Sequence, residues 1–277
     1  MNLHETQKAI FRLYLNSGYR LAHKLEPKAF TEFMGLSGED ADLVIGLDPT
    51  QLADFSRSLM GKRRTFYESV FPVSYRWMRE HHPALLRDFL ELYNTRRFTE
   101  EEPRGHNYVA YVRECALFYP DIPRAVADVA QFELVMITVK KQQALLSPDR
   151  QPGAAVLRAS GFSWDALYWK PARSMVAQFT VDPLLIVLEL SDMDQQANPT
   201  SVVVTPSLTT GPPTVLRVLP MVARLIDLMT EPMTGDRLLA RCQDNGLDIG
   251  QDKLRAALTK LVEHDIIDHH CPAPSHV

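Results

Sequence analysis

The spacing of apolar residues changes character once along this chain, and that change limits its architecture more than any other feature. Up to residue 148, apolar side chains recur every three to four positions. Beyond the polar, turn-rich stretch Ser147-Pro148-Asp149-Arg150-Gln151-Pro152-Gly153 they alternate, and helical spacing returns only after Leu219. A chain of 277 residues that is 45% hydrophobic can bury real cores. At roughly 100–200 residues per domain it has the length of about two. The expected fold class is therefore α+β. Residues 1–148 form an all-α helical bundle, and residues 149–277 form a small antiparallel sheet followed by helices.

In the first part, residues 5–25 carry Ile10, Leu13, Tyr14, Ser17 and Leu21 at helical spacing and read as one helix. Pro27 opens a second segment, and Ser37-Gly38-Glu39-Asp40 marks a break. Asp48-Pro49 is a strong start for the next helix, with Asp at the cap and Pro in the first turn. Prolines at 72, 83, 103, 120 and 123 separate further segments over 84–95, 106–118 and 122–146. Acids and bases balance across this half.

In the second part, residues 155–159, 175–180, 184–190, 201–205 and 214–219 read as strands. Three helices then follow over 221–230, 235–244 and 253–264. Thr234 caps the second, Gly246 ends it, and Asp252 caps the third. Ile266-Ile267 reads as the start of a wing or a final strand.

Composition excludes several classes. The formal net charge is −4, a poor general match for nucleic acid or an anionic membrane. The three cysteines, Cys115, Cys242 and Cys271, are far apart and form no C-x-x-C pair, so neither a disulfide framework nor a four-thiolate zinc site is expected. The N-terminus is amphipathic without a signal peptide's apolar core, and no apolar run approaches the ~18–20 residues of a spanning helix. A soluble, reduced, cytoplasmic protein is the expectation. No H-E-x-x-H, G-x-S-x-G, phosphate-binding or dinucleotide-binding motif occurs, so catalytic and metal-ligating residues are expected to be absent.

Strands followed by three short helices, the last running into a β-like pair, suggest a winged helix-turn-helix. That shape reads DNA with its third helix, or captures an extended peptide on an exposed sheet edge. Residues 214–277 hold seven Lys/Arg and nine Asp/Glu, a net of 7 − 9 = −2. Phosphate collection needs the opposite sign, so peptide capture leads. The alternative is a winged-helix DNA-binding transcriptional regulator. A stand-alone enzyme ranks last.

The segments Thr214-Val215-Leu216-Arg217-Val218-Leu219-Pro220, Ile226-Asp227-Leu228-Met229 and Met233-Thr234-Gly235-Asp236-Arg237-Leu238-Leu239 resemble the recognition element of ribosomal peptide (RiPP) modification systems. Such elements are similar to the small peptide chaperone of pyrroloquinoline quinone biosynthesis. In the helical half, Phe55-Ser56-Arg57-Ser58-Leu59-Met60-Gly61-Lys62-Arg63-Arg64, Tyr67, Phe71-Pro72, Pro83, Leu85-Leu86, Phe89, Tyr119-Pro120, Val129-Ala130 and Phe132-Glu133 resemble the partner subunits of multinuclear non-heme iron oxidative enzymes. Members of that family serve methanobactin and 3-thiaglutamate biosynthesis. Length and a β-rich middle place this chain nearer the second.

The resemblance implies a non-catalytic accessory subunit with no cofactor of its own, in a heterodimer whose iron sits in the partner enzyme. It implies that the leader of a precursor peptide lies between the strand Thr214, Val215, Leu216, Arg217, Val218, Leu219 and a helix face of Lys253, Arg255, Ala257, Lys260 and Leu261. Arg217, Lys253, Arg255 and Lys260 would suit an acidic leader. The implied chemistry is oxidation of the precursor's cysteine, with excision of its β-carbon in the 3-thiaglutamate case.

Other groups have two readings each. Lys62, Arg63 and Arg64, with Tyr67, are a candidate docking surface for the partner enzyme or a solvated helix turn. His81-His82 is a metal or proton-transfer pair, or a pair of histidines at a helix C-terminus. Glu133 is buried and paired, for example with Arg113, or points outward. Asp268-His269-His270-Cys271 spells the tetrad of membrane palmitoyltransferases. This chain lacks their cysteine-rich domain and transmembrane helices, so a solvated tail is expected.

Overall fold

The computed structural model describes residues 3–93, 104–145, 162–207 and 211–270. The chain divides into two compact units, Met1–Ala130 and Gln131–Val277. The expected strand at 155–159 and the stretch at 147–153 lie outside the described residues.

The first unit is helical. Its elements are α1 (Leu3–Leu15), α2 (Ser17–Leu25), α3 (Pro27–Phe33), α4 (Glu39–Ile45), α5 (Pro49–Val70), α6 (Ser74–His81), α7 (Pro83–Asp88), a π-helical turn over Phe89–Tyr93, and α8 (Arg104–Phe118). A ninth helix, α9 (Arg124–Leu145), begins here and ends in the second unit. The helix expected over 5–25 is two, because the Asn16 side chain accepts from the backbone N–H of Gly18 and Tyr19 and starts α2 afresh. Asp48 does cap α5, accepting from Thr50 N at 2.7 Å, with Pro49 in the first turn. One core joins Ala9 and Leu13 of α1 to Phe30, Met34, Val44 and Leu52. Thr6 donates to Asp40 at 2.8 Å and ties α1 to α4 beneath the surface.

The other core of this unit is aromatic. Tyr67, Phe71, Tyr75, Phe89 and Tyr108 are each 1% exposed or less. The Tyr67 ring centroid lies 4.9 Å from that of Phe89 and 5.7 Å from that of Tyr108. Burial pushes the Tyr75 hydroxyl up to about 12.

The second unit holds two three-stranded antiparallel sheets where the sequence suggested one. Its elements are β1 (Leu167–Trp169), β2 (Met175–Phe179), α10 (Pro183–Val187), β3 (Thr200–Thr205), β4 (Thr214–Val218), α11 (Pro220–Leu228), β5 (Met233–Thr234), α12 (Gly235–Asp244), α13 (Gln251–Glu263) and β6 (Asp268–His270). One sheet has the order β5-β1-β6 and the other the order β2-β3-β4. Every residue of β3 from Ser201 to Thr205 is buried, because both faces of its sheet are covered. Val202 and Val204 pack with Phe132, Val135 and Val139 of α9. Val203 packs on the other face with Leu225, Leu254 and Leu258. An unbroken apolar run such as Val202-Val203-Val204 marks a strand buried on both sides.

Three expectations are corrected here. Residues 184–190 are not a strand. Asp182 accepts from Leu184 N at 3.1 Å, Pro183 occupies the first turn, and the chain winds into α10 despite its β-branched composition. Asp252 is not a cap: Gly250 precedes α13, and Asp252 sits in the first turn. The segment Asp268-His269-His270 is not a solvated tail. It forms β6, paired with β1 in the register Tyr168↔His269, while Cys271 lies outside the described residues. Ile266 and Ile267 are buried just before that strand.

His269 is 6% exposed and its ring stacks on Tyr168 at 6.0 Å. Burial holds its imidazole below the ordinary range, with Asp268 pulling the other way and His270 adding to the depression. The unfolded chain therefore takes up the proton first as pH falls, so stability drops as pH passes below about 6.5. His269→Phe keeps the stack and cannot titrate. Thermal melts at pH 7.5 and 5.5 are expected to show a smaller acid-induced loss in the variant than in the parent.

Cys115 and Cys242 are buried, and burial raises both thiols. Mass mapping after Ellman's reagent at pH 7.5 is expected to find both unlabelled until denaturant is added. No helix among the described residues is long and apolar enough to cross a membrane.

Candidate functional site

Strand β4 is the element on which the expected site turns. It pairs with β3 in the register Val203↔Leu216 and Val202↔Arg217, and it ends the order β2-β3-β4. Its outer edge meets no other strand among the described residues. Pro212 and Pro213 precede the strand and Pro220 follows it, so a backbone ladder on this edge is confined to the residues between them.

The side chains of β4 alternate as the pleat requires. Leu216 and Val218 pack against the core shared by α11, α12 and α13, whereas Val215 joins the cluster under α9. Thr214 and Arg217 are exposed, and Leu219 is 67% exposed. Arg217 is not a free cation. Its Nε lies 2.8 Å from Oδ2 of Asp182, whose side chain is 5% exposed. One carboxylate thus starts α10 and anchors Arg217. The Asp182-Pro183 pair carried the same signal as Asp48-Pro49 and was the clue available in the sequence.

On α13 the expected residues split into two sets. Lys253, Ala257 and Lys260 follow i, i+4, i+7 spacing and share one flank, beside buried Leu261. Arg255 lies on the opposite flank, with its guanidinium carbon 5.5 Å from the Phe162 ring centroid. Lys253, Arg255 and Lys260 are exposed, and Ala257 is half-buried. The fold therefore groups Lys253 and Lys260 beside half-buried Ala257 and separates Arg255.

The expected docking surface changes more. Lys62 and Arg64 are exposed, but Arg63 donates to the Leu90 carbonyl at 2.9 Å, inside the π-helical turn. Tyr67 is 1% exposed and packed in the aromatic core, so it cannot meet a partner. His81 stacks on Trp77 with ring centroids 4.5 Å apart and contacts the Trp77 carbonyl at 2.9 Å. His82 lies 3.9 Å from Asp121. Both sit at the end of α6, where the helix dipole favours them. Glu133 is buried at 6% exposure. Among the described residues, no group of three or more His, Cys, Asp or Glu is placed to hold a metal ion.

A scan of protein-family models and a search of curated proteins found no match to this chain.

Proposed function

We propose that this chain is a non-catalytic accessory subunit that binds the leader of a ribosomally made precursor peptide and presents the precursor's cysteine to a multinuclear non-heme iron enzyme. Iron and catalysis belong to that partner, in a cytoplasmic heterodimer. The reaction is oxidative modification of the cysteine, with excision of its β-carbon in a 3-thiaglutamate pathway. The helical half, residues 1–148, docks the enzyme, with Lys62 and Arg64 among its exposed cations.

The observation that carries this reading is the three-stranded antiparallel meander β2-β3-β4, whose last strand is an edge and leads directly into α11, α12 and α13. An extended peptide added to β4 gains backbone hydrogen bonds, and its alternate side chains meet what flanks the strand. Lys253 and Lys260 on the α13 flank would meet acidic residues of the leader. The order α11-β5-α12-α13-β6 also supports a winged-helix element. The strand between β5 and β6 in its sheet, β1, comes from upstream of these helices.

The first test is genomic, with a neighbouring iron-enzyme gene and a short precursor gene ending in Cys as the expected result; the second is co-purification with that enzyme, followed by titration with that precursor's leader. Residues in a strand direct their N–H groups alternately to its two sides, so one of Val215→Pro and Leu216→Pro removes an outward donor and the other an inward one. Each variant is expected to weaken leader binding at least ~10-fold, with circular dichroism reporting the fold. Unchanged affinity in both would end the reading. Tight, sequence-specific duplex binding at physiological salt would replace it with a DNA-binding regulator.

A further inference from the structure

The connection between β2 and β3 carries a feature that neither the sheet nor the helices require. The registers Phe179↔Thr200 and Ser201↔Val218 bring the end of β2, the start of β3 and the end of β4 to one end of the sheet. From that end the chain winds through α10 and stops in a tight cap. Glu189 takes φ +57, the N–H of Leu190 donates to Leu185 O at 2.8 Å, and the N–H of Glu189 donates to Ile186 O at 2.9 Å. This hydrogen-bond pattern ordinarily folds the residue after the left-handed position back onto the helix by an apolar contact. Here that residue, Leu190, is 70% exposed, and Leu188 is 62% exposed. Leu219, 67% exposed, follows β4 at the same end of the sheet. The Arg217–Asp182 pair pins the start of α10 to β4.

The charge around these leucines is one-sided. Between Arg173 and Arg217 the chain has no Lys or Arg, and it carries Asp182, Glu189, Asp192 and Asp194. Asp192 and Asp194 are exposed beside the leucines, while buried Met193 anchors the turn between them. The two cations that bound this stretch are already paired, Arg173 with Asp268 and Arg217 with Asp182.

We infer that Leu188, Leu190 and Leu219 form an apolar end-subsite for the peptide that adds to β4, and that it selects apolar residues next to Lys or Arg. This rests on the peptide-capture reading and gives one end of the ligand a chemistry opposite to the acidic one expected from Arg217. The occupant is a peptide because Leu219 directly follows β4, whose outer edge pairs with no other strand among the described residues, and the Arg217–Asp182 pair ties the start of α10 to that strand. Apolar contact supplies the affinity, and Asp192 and Asp194 supply the preference for positive charge.

The experiment pans a phage-displayed library of random linear peptides against the immobilised full-length chain, then titrates the enriched peptides as synthetic ligands. Three proteins are compared: the parent, Leu188→Ser/Leu190→Ser, and Leu216→Pro. The double variant changes exposed residues only, and melting curves check its fold. Enriched peptides are expected to combine apolar residues with Lys or Arg, to lose at least about ten-fold in affinity for the double variant, and to lose binding to Leu216→Pro. Peptides that bind the double variant as tightly as the parent but fail on Leu216→Pro would overturn the subsite and leave the β4 reading intact. Enrichment of acidic peptides alone would do the same. No enrichment, or peptides indifferent to Leu216→Pro, would overturn both. A parent dimer that the double variant dissociates in analytical ultracentrifugation would assign the leucines to contact between copies. Loss of iron-enzyme binding with peptide binding unchanged would assign them to that enzyme. Either result would overturn the subsite.

Discussion

Replacing Tyr67 with Ala is expected to destabilise the protein by about 3–5 kcal/mol, the range for deleting a buried aromatic side chain. Its ring meets Phe66, Phe71, Tyr75, Phe89 and Tyr108, so truncation opens a hole that several rigid rings border and cannot easily fill. Lys62→Ala, one turn away and exposed, is expected to change stability by no more than about 0.5 kcal/mol. Urea unfolding followed by near-ultraviolet circular dichroism measures both. A Tyr67→Ala protein as stable as the parent would contradict the packing described here and restore Tyr67 as a surface residue. The comparison separates two kinds of partner-binding defect, because Tyr67 variants would lose a partner by unfolding and Lys62 variants by losing a contact.

The second large effect is expected at Gly235, which opens α12 beneath Trp164. A Cβ at this position would lie 2.5 Å from Cε3 of Trp164 and 3.1 Å from its Cζ3. The indole cannot retreat freely. Its ring packs edge-on against Phe162 at 5.0 Å, and the Trp164 carbonyl accepts from Gly235 N at 3.0 Å. Overpacking of this kind costs about 1–3 kcal/mol, so Gly235→Ala should lower stability although Ala is the better helix former. Gly61, in the middle of α5, supplies the opposite case, since a Cβ there meets nothing within 4 Å. Gly61→Ala is expected to stabilise by about 0.5–1 kcal/mol. Opposite signs for the two substitutions in the same denaturant assay would confirm that packing, not helix propensity, governs position 235.

Much of the local structure was legible because its causes are local. Asp48-Pro49 announced α5, Thr234 capped α12 by accepting from Arg237 N, and Gly246, at φ +66, ended it. The buried run at 202–204 and the alternation in 214–218 identified two strands of one sheet. Residues 184–190 misled because their β-branched composition outweighed the Asp182-Pro183 start signal, and the cap prevailed in the fold.

The remaining misreadings share a cause: partners distant in sequence. β6 looked like a tail because its stabilising neighbour, β1, lies far upstream. Arg217 looked like a free contact because nothing nearby in sequence pointed to Asp182. Tyr67 sits beside Phe66 on the same helix, and helical spacing does not tell an aromatic core from an aromatic surface. The strand expected at 214–219 is therefore present as the end strand Thr214–Val218, while Arg217 and Tyr67 have packing partners that local sequence did not reveal.

Peptide capture on the open edge of β4 is the central claim, and amide hydrogen exchange of the full chain tests it most directly. The measurement compares the free protein with the protein saturated by a peptide that it binds, either the leader of the proposed precursor or a peptide enriched from the phage library. Peptide addition should slow exchange within Thr214–Val218, because outward N–H groups that pair with no strand among the described residues become hydrogen-bonded to the ligand. Unchanged exchange across Thr214–Val218 at saturating peptide, or protection confined to the exposed face of α13, would contradict it.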